Sequence, residues 1–146
     1  MRATYRVLAH LIMLGVLVQA AAVAGGWFGT INDVDGGAVV DKNYEGNIGH
    51  AVHGIVGMTV MPLLAIALLV VAFFTKLAGA VKWAGFTLLA VAVQITLAFI
   101  AFGVPVVGAL HGLNAFVIFG CAAYAGRKIA ATSQAGQVRR EESATV

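Results

Sequence analysis

Apolar positions along this chain form four unbroken blocks, and the polar residues collect between the blocks and after the last one. The blocks cover residues 5–28, 48–75, 79–103 and 106–126. Each supplies about the 20 apolar residues that a helix needs to cross a bilayer. Hydrocarbon offers no partner to an open backbone, so each block is predicted to be an α-helix. The second and third connections are short, and Pro105 marks the break in the third. Short links make consecutive helices antiparallel neighbours, with the second and fourth on one diagonal. The expected architecture is an all-α integral membrane protein. Residues 1–128 form an up-down-up-down four-helix bundle, and 129–146 a polar tail that is expected to be disordered.

Composition sharpens this picture. Of 146 residues, 61% are hydrophobic and 10% charged, against about a quarter charged in a soluble domain. Mean hydropathy is +0.96. The net charge of +3 is distributed by region. Arg2 and Arg6 precede the first block, Lys76 and Lys82 flank the second connection, and Arg127, Lys128, Arg139 and Arg140 follow the fourth block. The first connection carries Asp33, Asp35, Asp41 and Glu45 against Lys42. Positive charge marks the cytoplasmic side, so both termini and the second connection are expected in the cytoplasm, with the bundle in a bacterial inner (plasma) membrane. No basic run is interleaved with aromatics, so nucleic acid is not an expected partner. The first apolar block, which carries His10 and Gln19, is longer than the roughly 7–15 residues of a signal-peptide core. It is therefore read as a retained span. The single cysteine, Cys121, cannot form an internal disulfide.

Within the spans, the chemistry is concentrated in histidine. His53 and His111 each lie about five residues inside the outer end of their helix, roughly 7–8 Å deep at 1.5 Å per residue. Two imidazoles at one level on opposite sides of a bundle suit the axial positions of a haem. A polar, ligand-capable side chain inside a span is costly and so points to function. Gly46, Gly49, His50, His53 and Gly57 share a face, as do Gly108, His111, Ala115 and Ala122. Small residues there leave room for a flat macrocycle, although they also serve close helix packing. His50 is a further candidate ligand, or a contact for a propionate or quinone. Asn114, one turn beyond His111, is placed to steady its ring. Gln19 faces the bundle with Gly15, Ala22 and Gly26, which turns His10 outward. Gln19, Gln94 and Asn114 are expected to hydrogen-bond between helices, and Met13, Met58 and Met61 to fill space.

Other chemistries fit less well. His50, His53 and His111 together form a candidate zinc or copper site, but no carboxylate or thiolate lies nearby except in the loop. Asp33, Asp35 and the Gly36-Gly37 pair look like the start of a calcium loop without its later ligands. No acidic residue lies deep in a span, which argues against a carboxylate proton relay. No nucleophile–base pair, CxxC, phosphate loop or HExxH motif is present.

The segment from Glu45 through His50 and His53 to Gly54 resembles the second-helix haem-ligand region of four-helix b-type cytochromes, including one half of a haem A synthase. Leu110-His111-Gly112-Leu113-Asn114-Ala115 resembles their fourth-helix ligand segment. The resemblance implies a b-type haem held by His53 and His111. It does not carry over haem A synthesis, because the glutamate-to-histidine spacing is longer here and the second bundle of the synthase is missing. The opening Tyr5-Arg6-Val7-Leu8-Ala9, the step at Val18-Gln19-Ala20 and the same His111 segment also resemble small four-helix membrane proteins of actinobacteria. That second resemblance implies no particular activity. The expected function is electron transfer through one haem b, with quinone or a larger membrane complex as partner alongside the lipid bilayer. The alternative is an accessory or structural subunit without cofactor, in which the histidines serve packing.

Overall fold

The computed structural model describes the backbone of residues 1–144 and side chains as far as Arg127. It is all-helical. Helix α1 spans Arg2–Asp35, α2 Ile48–Ile55, α3 Met61–Phe74, α4 Ala80–Gly103 and α5 Val107–Ala144. A π-helical turn, Val56–Val60, joins α2 to α3 without a break. Four stretches are long and apolar enough to cross a membrane: Arg2–Asp35, Ile48–Phe74, Ala80–Gly103 and Val107–Arg127. By length and composition this is a membrane protein.

Helix boundaries differ from the predicted blocks chiefly at the ends of α1 and α5. Helix α1 continues to Asp35, so the first connection is 36–47 rather than 29–47. Nothing from Trp27 to Asp35 breaks a helix, and the stop comes only at Gly36 and Gly37, the latter with φ 97°. At 34 residues, α1 is about 50 Å long, so its polar last turns extend past the hydrocarbon layer. Asn47 starts the second span by accepting hydrogen bonds from the Gly49 and His50 amides, an ordinary N-cap. The π turn was not predicted. Pro62 explains its position, since proline has no N–H to offer the preceding turn. The Met61 amide bonds instead to Val56 O, one residue further back than in an α-helix. Helix α5 runs on to Ala144, where the sequence predicts a disordered tail from 129. The side chains of that stretch, and residues 145–146, lie outside the described residues.

The helices pack in chain order around a ring: α1 on α2 and α3, α3 on α4, α4 on α5, and α5 back on α1. Contacting residues run in opposite senses along α1 and the second span, and along α4 and α5. Gly15 meets Met61, Gly26 meets Gly49 and Gly29 meets Asn47. Asn114 meets Ala90, while His111 meets Gln94. The packed core lies toward the end that carries Arg2, Arg6, Lys76, Lys82 and Arg127, called here the basic end. There Tyr5, Ala9 and Ile12 of α1 meet Ala65, Leu68 and Ala72 of α3, Ala80 and Ala84 of α4, and Ala122 and Ala125 of α5. Alanine lets the backbones approach closely, which is how helices associate in lipid, where apolar burial adds little. The Tyr5 hydroxyl donates to Ala80 O at 3.0 Å and so satisfies the one polar group of that cluster.

The opposite, acidic end carries Asp33, Asp35, Asp41 and Glu45. Here α1 and α2 cross at glycine: a Cβ on Gly49 would lie 2.6 Å from the Ala22 carbonyl oxygen. Tyr44 and Asn47 tie the connection to α1. The Tyr44 hydroxyl bonds to Asp33 at 2.7 Å, and Asn47 Nδ2 donates to Gly26 O at 2.7 Å.

Candidate functional site

His53 and His111 face each other across the bundle, with ring centroids 6.0 Å apart and planes inclined at 62°. The equal depth inferred from residue counts therefore appears as a direct ring contact. The side chains come from α2 and α5, which sit on opposite sides of the ring of helices, and each is held by a helix next to its own. His53 Nδ1 lies 3.1 Å from Gln19 O on α1. His111 Nδ1 lies 3.0 Å from Gln94 O on α4.

The chemistry of those partners fixes the rings. A carbonyl oxygen only accepts, and its second lone pair is available after the helical bond has used the first. Each Nδ1 must therefore carry a proton, and in the neutral ring that leaves the lone pair on Nε2. Among the described residues, neither Nε2 has a hydrogen-bond partner. A histidine whose Nδ1–H is held by a backbone carbonyl is oriented to ligate a metal through the other nitrogen.

The two glutamines lock these carbonyls in place by different means. Gln19 Nε2 donates to His53 O at 3.0 Å, so α1 and α2 exchange two bonds at this level. Its Oε1 is buried without a hydrogen-bond partner among the described residues. Gln94 Oε1 accepts from Asn114 Nδ2 at 2.8 Å, and the same Asn114 amide donates to Ala90 O at 2.8 Å. Asn114 therefore does not hold the His111 ring, contrary to the expectation from the sequence. It holds Gln94, whose backbone holds the ring. The sequence marks both glutamines as interhelical hydrogen-bonding residues but gives no sign that their main-chain oxygens orient the histidines. Depth counting carries that signal: each histidine span follows a span bearing glutamine at the matching level.

A cavity of about 530 Å³ opens beside the rings. Its polar wall is His53, His111, Gln19 and Gln94, and the remainder is apolar, including Met58, Met61, Phe99, Ala115 and Ile118. The size is typical of a small-molecule or cofactor site, roughly 300–1,000 Å³. On α5, Gly108, His111 and Ala115 line the cavity together, as their shared face predicts. On the second span, Gly57 lines it, whereas Gly49 is taken up by the crossing with α1.

His50 lies elsewhere. It packs on Gly26 and stands edge-on to Trp27, with centroids 5.5 Å apart at 87°. The structure does not bring it to the His53–His111 pair. Among the described residues, no cluster of three or more His, Cys, Asp or Glu is placed to hold a metal ion, so the three-imidazole zinc or copper site is not assembled. His10 is exposed near Gly126, on the outward side of α1. Asp33 serves as acceptor for Tyr44.

Donor set and spacing both suit a metal held between two imidazoles. Two metal–nitrogen bonds of about 2 Å each, added to the two ring radii, put the centroids about 6 Å apart. Both Nε2 lone pairs are available, and the adjoining space is large and mostly apolar. Comparison with protein families, curated proteins and solved structures finds no match to this chain.

Proposed function

We propose that this chain is a membrane-embedded b-type cytochrome that holds one haem between His53 and His111 and passes electrons near the outer face of a bacterial plasma membrane, with quinone as partner. The observation that carries the reading is the facing histidine pair, 6.0 Å apart, with each Nδ1 committed to a carbonyl of a neighbouring helix. Ordinary packing histidines have no reason to share one level, one tautomer and one cavity. The opposed running of neighbouring contacts supports an up-down-up-down bundle. The sorting of arginine and lysine to one end supports cytoplasmic termini.

In this reading His53 and His111 would hold the haem through their Nε2 atoms, and Gln19 and Gln94 fix the ring planes through their carbonyls. Asn114 fixes Gln94 in turn. Met61 and Ile118 form part of the apolar wall beside the rings, which limits access of water to them. A haem held by these two residues would supply one-electron transfer. The competing reading, a cofactor-free accessory subunit, uses the same two hydrogen bonds as helix ties.

Absorption spectroscopy separates the two. Protein purified in detergent from haem-replete cells should show a Soret band and, when reduced, a low-spin α-band. His53→Ala and His111→Ala should each abolish the low-spin spectrum while the helical fold persists. A colourless wild-type preparation, together with a lower melting temperature in His111→Ala, would favour the accessory role.

A further inference from the structure

The cavity brings two kinds of metal donor together, and the haem reading uses only one of them. His53 and His111 line it, and so do Met58 and Met61 of the second span. The two methionines are placed differently. Met61 is buried, and its sulfur lies in the notch left by Gly15 of α1. Met58 is 48% exposed and lies five residues beyond His53. On a straight α-helix that separation would turn it about 140° away from the histidine. The π turn Val56–Val60 fits an extra residue into its turn and brings Met58 back toward the His53 face. The unbranched methionine side chain has three rotatable bonds, so its sulfur adapts to what occupies the space beside it.

The charge of the lining selects the ion. Among the described residues, no carboxylate and no cysteine lines the cavity. Its donors are imidazole, thioether and amide, none of them anionic, so a bound ion keeps its full charge. Solvation energy rises with the square of charge, so a divalent ion loses about four times as much as a monovalent one on entering an apolar space. Zinc(II) and copper(II) are disfavoured on this ground. Copper(I) carries a single charge, accepts two opposed imidazoles with a further donor, and is selected by soft thioether sulfur. The ring spacing of 6.0 Å leaves room for one such ion while both Nδ1 atoms stay on Gln19 O and Gln94 O.

We propose that the haem-free protein binds one copper(I) ion between His53 and His111, with the Met58 sulfur as third donor. This does not rest on the haem reading. It gives the same two nitrogens a second occupant, and the two occupants exclude each other.

The test uses full-length protein purified without haem in detergent, kept under argon and titrated against copper(I) held as its coloured bicinchoninate complex. The protein should withdraw one copper per chain. His53→Ala and His111→Ala should each abolish withdrawal, with helicity by circular dichroism unchanged. Met58→Leu, which keeps the volume, should weaken binding by about tenfold, the scale of a lost supporting group. Met61→Leu should leave binding unaltered. Copper-edge X-ray absorption should show two nitrogen neighbours and one sulfur, the sulfur missing in Met58→Leu. Excess zinc(II) should not displace the copper. Absence of withdrawal by the folded wild type would overturn the copper site. Copper bound with no sulfur neighbour would overturn the role of Met58, and displacement by zinc(II) the choice of a monovalent ion. Because haem is absent throughout, a protein that stays colourless in haem-replete cells yet withdraws copper would reject the haem reading alone.

Discussion

At the basic end the four helices close on one another; toward the acidic end α1 stays crossed with α2 at Gly26 and Gly49, while the rest of the bundle opens around the cavity. Ala9, Ala65, Leu68, Ala84 and Ala122 are fully sealed where the spans converge. In contrast, neither α2 nor the π turn contains a buried residue, and the first buried side chain of α5 is Ile118. The difference follows from what each level offers its neighbour. Alanine at facing positions lets helices touch along their backbones. Histidine and glutamine at facing positions hold the helices at side-chain distance, and they satisfy themselves on main-chain carbonyls across the interface. One half therefore supplies cohesion, and the other keeps a largely apolar space open beside four polar side chains.

The largest expected separation of these halves is all-or-none. His111→Ala should remove the low-spin spectrum entirely, with a fall in melting temperature no larger than the loss of one interhelical hydrogen bond and of the bound cofactor gives. A fall in melting temperature with colour intact would mean that the pair is structural. Gly49→Leu comes next. Its side chain would drive into Ala22 and Gly26 at the glycine crossing, and should cost about 3 kcal/mol as an overpacked site, read as a lower midpoint in denaturant titration. Leu68→Ala, in the sealed half, should cost about 2 kcal/mol through lost packing, with an unaltered spectrum. Should it bleach the protein instead, the two halves are coupled and the comparison fails.

Smaller effects sharpen the division within the open half. Asn114→Leu removes two hydrogen bonds to α4. At about 0.5–2 kcal/mol in total, as for interhelical bonds in membranes, it should lower stability modestly. Its diagnostic consequence is a broadened low-spin signal, because Gln94 would no longer be fixed and the His111 ring plane would vary. An unchanged signal would remove Asn114 and Gln94 from the orienting chain.

Much of this was legible in the residues. Four apolar blocks gave four spans, and equal counts from the helix ends placed His53 and His111 at one level. The inward assignment of Gln19 with Gly15, Ala22 and Gly26 also matches the observed contacts. What the sequence concealed shares one cause, that main-chain atoms carry no residue label. The carbonyls of Gln19 and Gln94 orient the rings, yet a side-chain reading assigns that work to Asn114. The π turn is likewise a backbone event, traceable only to Pro62. Helix α1 ran past Phe28 because exposed polar residues do not end a helix, and only the glycine pair at 36–37 did. His50 shares a helix face with His53, but three residues of separation were enough to turn it onto α1 and Trp27.

The central claim is that two imidazoles share one iron. Titration of haem into the cofactor-free protein, followed by electron paramagnetic resonance of the oxidised form, tests it most directly. The account predicts saturation at one haem per chain with a low-spin, bis-imidazole signal, replaced by a high-spin signal when either His53 or His111 is changed to Ala. Binding that never saturates, or a low-spin signal that survives both substitutions, would contradict it.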